Sequence, residues 1–172
     1  MREISDYIEA LKTKDEEAFE YIYQQTKHGV YALIVSILKD KELSEDIMQD
    51  TYIEMISSIH SYNPKYKFRN WLLMIARNKA IDEYRKRKRE LVIDLSTEEY
   101  LLPNTPSTAD DETRAKYLLS LLDDDERQIV VLHTMDEMKF KDIAFITEKP
   151  LGTVMWIYHK AIKKLKEVEV GE

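Results

Sequence analysis

The sequence predicts an all-α protein made of two small helical domains that a flexible linker joins, with a helix-turn-helix in the second domain. Apolar residues recur at helical spacing along most of the 172-residue chain, and the alternation typical of strands is nearly missing. Only 3 Gly and 4 Pro occur, which suits long helices with few tight turns. A single Pro/Ser/Thr cluster at 103–108 predicts the linker.

Residues 1–90 form the first predicted domain. Asp15 and the two glutamates after it mark a helix start, because acidic groups favour the positive end of a helix dipole. Two more helices are predicted at about 28–38 and 43–59, and Asn63-Pro64 ends the second of them by turn chemistry. The next helix begins near Phe68, and we expect it to fray through 85–89.

The predicted linker, 91–110, leads to a second predicted domain at 111–172. A short amphipathic helix is predicted from Asp111 to Leu122. Asp123 and Glu126 then have the spacing of a capping box, in which each side chain accepts a hydrogen bond from the other residue's backbone N–H. Helices at about 140–146 and 151–166 lie a few residues apart, which is typical of a helix-turn-helix whose second helix can enter a major groove.

Charge is distributed in blocks along the chain, whose formal net charge is -7. Residues 65–90 carry 10 basic and 3 acidic side chains, and residues 139–166 carry 7 and 2. The 12 acidic side chains of 91–138 separate these basic blocks. Because salt screens charges beyond ~8 Å, local patches decide what the protein binds. Two basic blocks on helices favour nucleic-acid contacts over the commoner meaning of a charge run, a solvated surface.

Composition excludes several kinds of site. Cys is absent, so there is no disulfide, thiolate nucleophile or Cys-based zinc site. The four His are far apart, and we find no catalytic triad spacing or Gly-rich phosphate loop, so we expect no enzyme, no cofactor and no metal. No secretory signal opens the chain and no apolar run approaches the ~20 residues of a membrane span. A cytoplasmic protein without membrane insertion is expected.

Three segments together resemble the extracytoplasmic-function (ECF) sigma factors of bacterial RNA polymerase, in the sigma-70 family. They are SEDIMQDTY at 44–52, FRNWL at 68–72 with IARN at 75–78 and AID at 80–82, and DIA at 142–144 with PLGTV at 150–154 and KKL at 163–165. Their order around one linker makes the resemblance specific. It implies a sigma factor that directs core RNA polymerase to promoters and melts the minus-ten element.

A polar face is predicted on the helix at 43–59. Asp46, Gln49 and Asp50 share one face by their spacing, and could grip a basic helical partner. The resemblance implies that this face binds the clamp helices of the largest polymerase subunit. From the residues alone, a solvated helix flank is the alternative.

Aromatic and basic residues are concentrated in 65–89. Aromatic rings stack on unpaired bases, and Lys and Arg neutralise phosphates. The resemblance implies that the minus-ten DNA is contacted by Tyr66, Phe68, Trp71, Arg77, Asn78, Lys79, Asp82, Arg85 and Lys86. Trp71 could equally be a core residue.

The last helix departs from the family pattern. Family members carry mostly basic residues where this chain has Met155, Trp156, Ile157 and Ile162, and the usual turn Gly is replaced by Glu148. Promoter contacts are left to Thr153, His159, Lys160, Lys163 and Lys164. The apolar positions predict either altered promoter readout or an interface for an anti-sigma factor, and we place the interface slightly ahead.

Two other functions stay open. A stand-alone helix-turn-helix regulator would bind promoters without polymerase, and a degenerate sigma-like interaction protein would bind partners without reading promoters. In either case we expect a monomer when the protein is free. The acidic stretch at 110–136 suggests a further hypothesis, namely that it keeps the free protein off DNA until polymerase separates the domains.

Overall fold

The structure is a computed structural model that describes residues 3–94, 111–135 and 137–171. These residues form eight α-helices, and no strand occurs among them. The helices are α1 (Ile4–Lys12), α2 (Glu16–Leu38), α3 (Lys41–Ser58), α4 (Phe68–Asp94), α5 (Asp111–Ser120), α6 (Asp124–Met135), α7 (Phe140–Thr147) and α8 (Leu151–Val170). A 3-10 helix, Ile59–Ser61, follows α3. The all-α prediction is confirmed.

Aspartate side chains cap two helices of the first domain, α2 and α3. The Asp15 carboxylate accepts a hydrogen bond from the Ala18 N–H at 2.7 Å, as the sequence predicts, and Asp40 accepts one from the Leu43 N–H at 2.9 Å. Both bonds satisfy N–H groups that a helix start leaves unpaired. Helix α1 was not predicted.

Helix α2 corrects the prediction of two separate helices, because it runs unbroken through Gly29. A glycine inside a helix costs about 1 kcal/mol relative to alanine, so it reads as a break in the sequence. Gly29 is buried in the structure, as are Val30 and Leu33 beside it. Tertiary packing therefore carries the helix across the glycine.

Helix α4 begins at Phe68, as predicted, but its predicted C-terminal end was wrong. It passes through 85–89 without fraying and continues to Asp94, four residues into the predicted linker. The Arg87 guanidinium donates to an Asp40 carboxylate oxygen at 3.0 Å, which ties the basic end of α4 to the start of α3. The rest of the predicted linker, 95–110, lies outside the described residues.

The second domain contains the predicted capping box and helix-turn-helix. The Asp123 N–H donates to Glu126 Oε2 at 3.0 Å, and the Glu126 N–H donates to Asp123 Oδ1 at 2.9 Å, so the box is confirmed. Helices α7 and α8 follow each other after a short turn. Leu151 is exposed because it is the first residue of α8 and lies beyond the packed part of the helix.

The two sets of helices pack on each other, with α6 against α2 and α7 against α4. One apolar cluster includes Ile34 and Leu73 of the first domain together with Ile129 and Ile143 of the second. In the described part of the chain, no helix has the length and apolar character that a bilayer span requires. The predicted domain limits at 90 and 111 stay predictions, but the two domains are in contact here.

Candidate nucleic-acid interface

Three aromatic rings form a cluster at the start of α4. The ring centroids of Tyr62 and Phe68 are 5.3 Å apart, those of Tyr62 and Trp71 are 5.2 Å apart, and those of Phe68 and Trp71 are 5.6 Å apart. Tyr62 and Phe68 are buried, whereas Trp71 is half-buried. Phe68, expected to meet DNA, is therefore an internal support, because it is the first residue of α4 and lies under the turn that precedes the helix. Trp71 keeps part of its indole at the surface.

The loop before α4 is held by its own hydrogen bonds. The Tyr62 hydroxyl donates to the Tyr66 carbonyl oxygen at 2.6 Å, and the Asn63 side chain accepts from the Lys65 N–H at 3.0 Å. The Tyr66 ring is about half exposed and stacks on Phe145 of α7 at a centroid distance of 5.0 Å. A ring that the sequence placed near DNA thus contacts the second domain in this structure.

The middle of α4 presents a polar stripe to solvent. Asn78, Asp82 and Arg85 are exposed and lie four and three residues apart, so they share one helix face. Lys86 is exposed beside them. Lys79 is half-buried, and its ammonium lies 3.8 Å from a Glu54 carboxylate oxygen. This stripe offers amide and guanidinium donors for phosphates and base edges.

Another face of α4 is covered by the second domain. Arg77 is only 9% exposed, and its Nε donates to the Gln128 side-chain oxygen of α6 at 2.8 Å. Burial lowers the pKa of Arg77. Asn70, which the sequence did not single out as a site residue, donates to Asp142 Oδ1 of α7 at 2.9 Å. Arg77, expected to contact the minus-ten element, is thus shielded from solvent.

Asp142 accepts a second hydrogen bond from the same surface. The Lys67 ammonium donates to Asp142 Oδ2 at 2.9 Å, so one carboxylate oxygen binds the residue before α4 and the other binds Asn70 in its first turn. Burial alone would raise the pKa of Asp142, but the hydrogen bonds from Lys67 and Asn70 outweigh it and lower the pKa. Asp142 is therefore ionised at neutral pH.

The polar face of α3 is larger than the sequence suggested. Asp46, Gln49 and Asp50 are all exposed, as expected for a docking face. Ile53, four residues after Gln49, extends the same stripe and is 64% exposed. Sequence reasoning missed Ile53, although its position seven residues after Asp46 places it on the same helix face. The stripe places one large apolar side chain among polar and acidic ones, which matches the apolar centre and polar rim of many interfaces.

The turn of the helix-turn-helix is made without glycine. Glu148 takes the left-handed conformation with φ of 54°, and the Lys149 N–H donates to the Ala144 carbonyl oxygen at 3.2 Å. Left-handed backbone is the conformation for which helix ends usually employ glycine. The geometry expected of the family turn is therefore present despite the substitution.

Helix α8 exposes a mixed surface. Its exposed residues include Thr153, Met155, Trp156, His159, Lys160 and Lys163, while Ile162 is half-buried. Ile157 was expected on this surface but is buried, because it lies three residues after Val154 and four before Ala161, which are both in the core. The apolar patch is therefore Met155, Trp156 and Ile162.

Two lysines of α8 are engaged within the domain. Lys164 donates to Glu126 Oε2 at 2.8 Å, and the Lys160 ammonium lies 3.4 Å from Oε1 of the same carboxylate. Glu126 is 1% exposed. Burial would raise the pKa of Glu126, but the hydrogen bond from Lys164 and the Asp123 backbone N–H outweigh it and lower the pKa. Lys164 thus stabilises the domain, and Lys163 is the more accessible cation.

Family models match both halves of the chain. The model described as Sigma-70 region 2 matches residues 22–90, and the model described as Sigma-70, region 4 matches residues 114–165. The ECF RNA polymerase sigma factor SigM of Bacillus subtilis is 31% identical over 149 residues, which cover 84% of this chain and 91% of the relative. The chain belongs to the ECF sigma factors of the sigma-70 family. The resemblance predicted from the sequence is confirmed.

Other relatives agree with this assignment. The sigma factor SigW of Bacillus subtilis is 29% identical over 178 residues, covering 95% of both chains. The sigma factor RpoE, solved in complex with the anti-sigma factor NepR from Bartonella quintana, has a TM-score of 0.74 at 23% identity and covers 87% of this chain and 94% of its own. CnrH, solved with the cytosolic domain of CnrY, has a TM-score of 0.72 at 20% identity, covering 96% of each chain. These two structures share the fold of this sigma factor.

Region 2 of this sigma factor therefore contains the polar face of α3 and the aromatic and basic residues of α4. Region 4 contains the helix-turn-helix with its apolar patch. The contacts of Gln128 and Asp142 with α4 join region 4 to region 2.

Proposed function

We propose that this sigma factor binds core RNA polymerase through the exposed face of α3 and uses α4 to hold the melted minus-ten strand of a promoter. One observation carries the proposal. A single helix presents a partly exposed indole, braced from behind by two buried rings, in line with an amide and a basic stripe. Stacking and phosphate neutralisation together are what an unpaired strand requires.

The stacking energy of a base on an aromatic ring is comparable with the cost of taking that base out of a duplex. Taking a base out of a duplex costs a few kcal/mol, and stacking it on an aromatic ring returns about 1–3 kcal/mol. Trp71 is braced by Tyr62 and Phe68, so little side-chain motion is lost when a base stacks on it. The exposed donors Asn78, Arg85 and Lys86 add contacts to the strand and its backbone.

Polymerase binding is proposed for the α3 stripe of Asp46, Gln49, Asp50 and Ile53. Acidic groups suit a basic helical partner, and the apolar Ile53 side chain supplies the buried centre that a stable contact needs. This stripe lies on a different helix from the DNA-binding residues, so both partners can bind together.

Run-off transcription tests the proposal. Purified core polymerase and this protein are combined on a library of genomic fragments, and reactivity of unpaired thymines to permanganate reports melting. We expect specific start sites, with Trp71→Ala lowering melting about tenfold because about 1–3 kcal/mol of stacking is lost. Tyr31→Ala, a half-buried aromatic on α2, is the matched control and should melt promoters normally.

Undiminished melting by Trp71→Ala would contradict the proposed role of the indole. Promoter binding without polymerase would instead indicate a stand-alone regulator. Polymerase binding without any transcript from the library would indicate a degenerate interaction protein.

An anti-sigma partner is a second proposal, for the patch of Met155, Trp156 and Ile162 on region 4. Trp156 is 65% exposed, and exposed apolar patches usually mark partners. RpoE and CnrH, which share the fold, were each solved with a bound partner, an anti-sigma factor in the case of RpoE. Direct readout of thymine methyl groups by the same patch is the alternative.

A further inference from the structure

Region 4 has a cleft between the start of α6 and the middle of α8, with a volume of about 520 Å³. Four consecutive carboxylates, at 123–126, line one side of it. Trp156, Ile157 and Lys160 of α8 line the other side. The cleft therefore joins two features that are separate in the sequence, the acidic stretch at 110–136 and the apolar patch of α8.

The Lys160 ammonium shows which kind of group this cleft attracts. It lies 5.2 Å from the centroid of the Trp156 ring and 3.4 Å from Glu126 Oε1. The face of an indole attracts a cation through the ring quadrupole, and a carboxylate adds an ionic contact. Both attractive groups thus lie beside one cation that the chain itself supplies.

Glu126 has acceptor capacity that this lysine does not use. The Glu126 side chain is 1% exposed, and no hydrogen bond reaches its Oε1 from the residues that the structure describes. Lys160 makes an ionic contact there, whereas Oε2 accepts from Lys164 and from the Asp123 N–H. A buried oxygen without a hydrogen bond costs free energy, because burial has removed its water. A donor that replaces Lys160 in the cleft would satisfy this oxygen.

Asp124 and Asp125 form the outer rim of the cleft. Their side chains are 51% and 47% exposed. Asp124 contacts Arg127 through Oδ1, and Asp125 contacts Lys149 through Oδ2, so the second oxygen of each carboxylate remains for an incoming group. The neighbouring cations balance much of the rim charge. Short-range contacts, rather than a long-range field, therefore favour a cation in this position.

A phosphate group is a poor occupant of the same cleft. Phosphates bind to donors, whereas the lining side chains present four carboxylates, and the ammonium among them already lies next to Glu126. An arginine or lysine side chain from a protein instead meets carboxylate oxygens and an indole that is 65% exposed. A guanidinium suits this arrangement, because it can lie flat on an aromatic ring while its N–H groups reach carboxylates.

We infer that this cleft binds an arginine or lysine side chain of a protein partner, and that Trp156, Asp124 and Asp125 select it. The incoming cation takes the place that Lys160 holds in the free protein. This inference rests on the proposed partner role of the apolar patch and names what the partner supplies, a cation beside apolar side chains. It disfavours thymine readout, because a DNA strand at Trp156 brings phosphates towards the carboxylates.

Titration with a short peptide tests the cleft directly. The probe is a capped pentapeptide with one arginine between two leucines and a glycine at each end. Trp71→Phe in the full chain leaves Trp156 as the sole tryptophan, so its fluorescence reports binding. We expect a saturable change with a dissociation constant of about 1 mM. The same peptide with citrulline, which keeps the shape of arginine without its charge, should bind about tenfold more weakly.

Removing the rim charges should weaken only the charged peptide. We expect Asp124→Asn with Asp125→Asn to lower the affinity for the arginine peptide about fivefold and to leave the citrulline peptide unchanged. The matched control is Glu16→Gln with Glu17→Gln, which removes two carboxylates from exposed positions in the first turn of α2. Its affinity for both peptides should equal that of the parent. Circular dichroism establishes that each variant keeps its helices.

Removing the internal cation should have the opposite effect. Lys160→Met keeps most of the side-chain length and vacates the position beside Glu126 and Trp156, so the arginine peptide should bind about threefold more tightly. Lys166→Met, at an exposed position of the same helix, is the matched control and should leave the affinity unchanged.

Three outcomes would overturn the inference. Equal affinities for the arginine and citrulline peptides would show that the cleft does not recognise charge. A loss in the α2 control as large as in the rim variant would show general attraction of a cation to an acidic protein. A fluorescence change with random duplex DNA, and none with the arginine peptide, would place Trp156 on a DNA-binding face. Promoter use by Trp156→Lys is measured separately, so failure of the proposed partner patch is distinguishable from failure of the cleft.

Discussion

Glu148 adopts a left-handed backbone conformation that residues other than glycine usually avoid. Its left-handed conformation ends α7 and sets the angle at which α8 leaves the turn. A side chain in that conformation costs about 1–2 kcal/mol that glycine avoids. The rest of the helix-turn-helix, including the buried Ile143, Ile146 and Val154, packs well enough to impose it.

We predict that Glu148→Gly stabilises the protein. Glycine relieves strain in the left-handed turn of the folded state, and it also raises the conformational entropy of the unfolded chain. The first effect on the free energy of unfolding is the larger, for a net stabilisation of about 0.5–1 kcal/mol. Thermal unfolding followed by circular dichroism measures it. Glu137→Ala is an informative comparison, because Glu137 also has positive φ and alanine does not relieve it, so no gain is expected there. A lower melting temperature for Glu148→Gly would mean that the Glu148 side chain contributes a contact worth more than the strain.

Single residues also show where sequence reasoning was limited. The capping box of Asp123 and Glu126 was predictable, since both bonds are set by positions three residues apart. The second role of Glu126, as the acceptor for Lys164, was not predictable, because it depends on how α6 and α8 cross. Lys164 was consequently expected at DNA, and the structure places it on a buried carboxylate.

Helix α8 has one face in the protein core and one face exposed to solvent. Its inner face of Val154, Ile157 and Ala161 is core, and its outer face mixes Lys163 with Met155 and Trp156. The Lys160 ammonium lies 5.2 Å from the Trp156 ring centroid, so the indole is held beside a cation. The sequence analysis grouped Ile157 with the outer residues, and the structure places it in the core.

We predict that Trp156→Lys leaves promoter use by the polymerase complex within about threefold of wild type. The added cation is compatible with phosphate contacts, and the lost cation–π contact is worth only about 0.5–1 kcal/mol. Run-off transcription and its salt dependence measure the effect. Lys163→Ala is the comparison that should weaken promoter binding and reduce the salt slope by about 1. Loss of promoter binding in Trp156→Lys would mean that the patch reads DNA and is not primarily a partner surface.

At the scale of the whole molecule, regions 2 and 4 share one apolar cluster. The described polar contacts include the ion pair of Lys67 with Asp142, and hydrogen bonds to two neutral acceptors, the Gln128 side chain and the Ser36 carbonyl oxygen. Exposed ion pairs are weak and salt-screened, and the Lys67 side chain is 61% exposed. The apolar packing and the buried Arg77 bond therefore hold the regions together.

We predict that the free protein stays compact as salt rises. Small-angle scattering should give a radius of gyration of about 16 Å, the value expected for a folded chain of this length. It should hold between about 0.1 and 1 M salt, although the screening length falls from about 10 to about 3 Å. The double variant Gln128→Ala with Asp142→Ala should be larger at both salts. Expansion of the wild type at high salt would show that ion pairs, rather than packing, keep it closed.

The sequence by itself determined the all-α class, most helix starts, the helix-turn-helix and the family, because each depends on residues within a few positions of one another or on motifs in fixed order. Tertiary structure decided which faces are free. Phe68 and Ile157 are internal, Arg77 is covered and Ile53 is exposed. Periodicity assigns a residue to a face of its own helix, but contacts such as Lys67 with Asp142 join residues 75 positions apart. Only the packing of one region on the other specifies them.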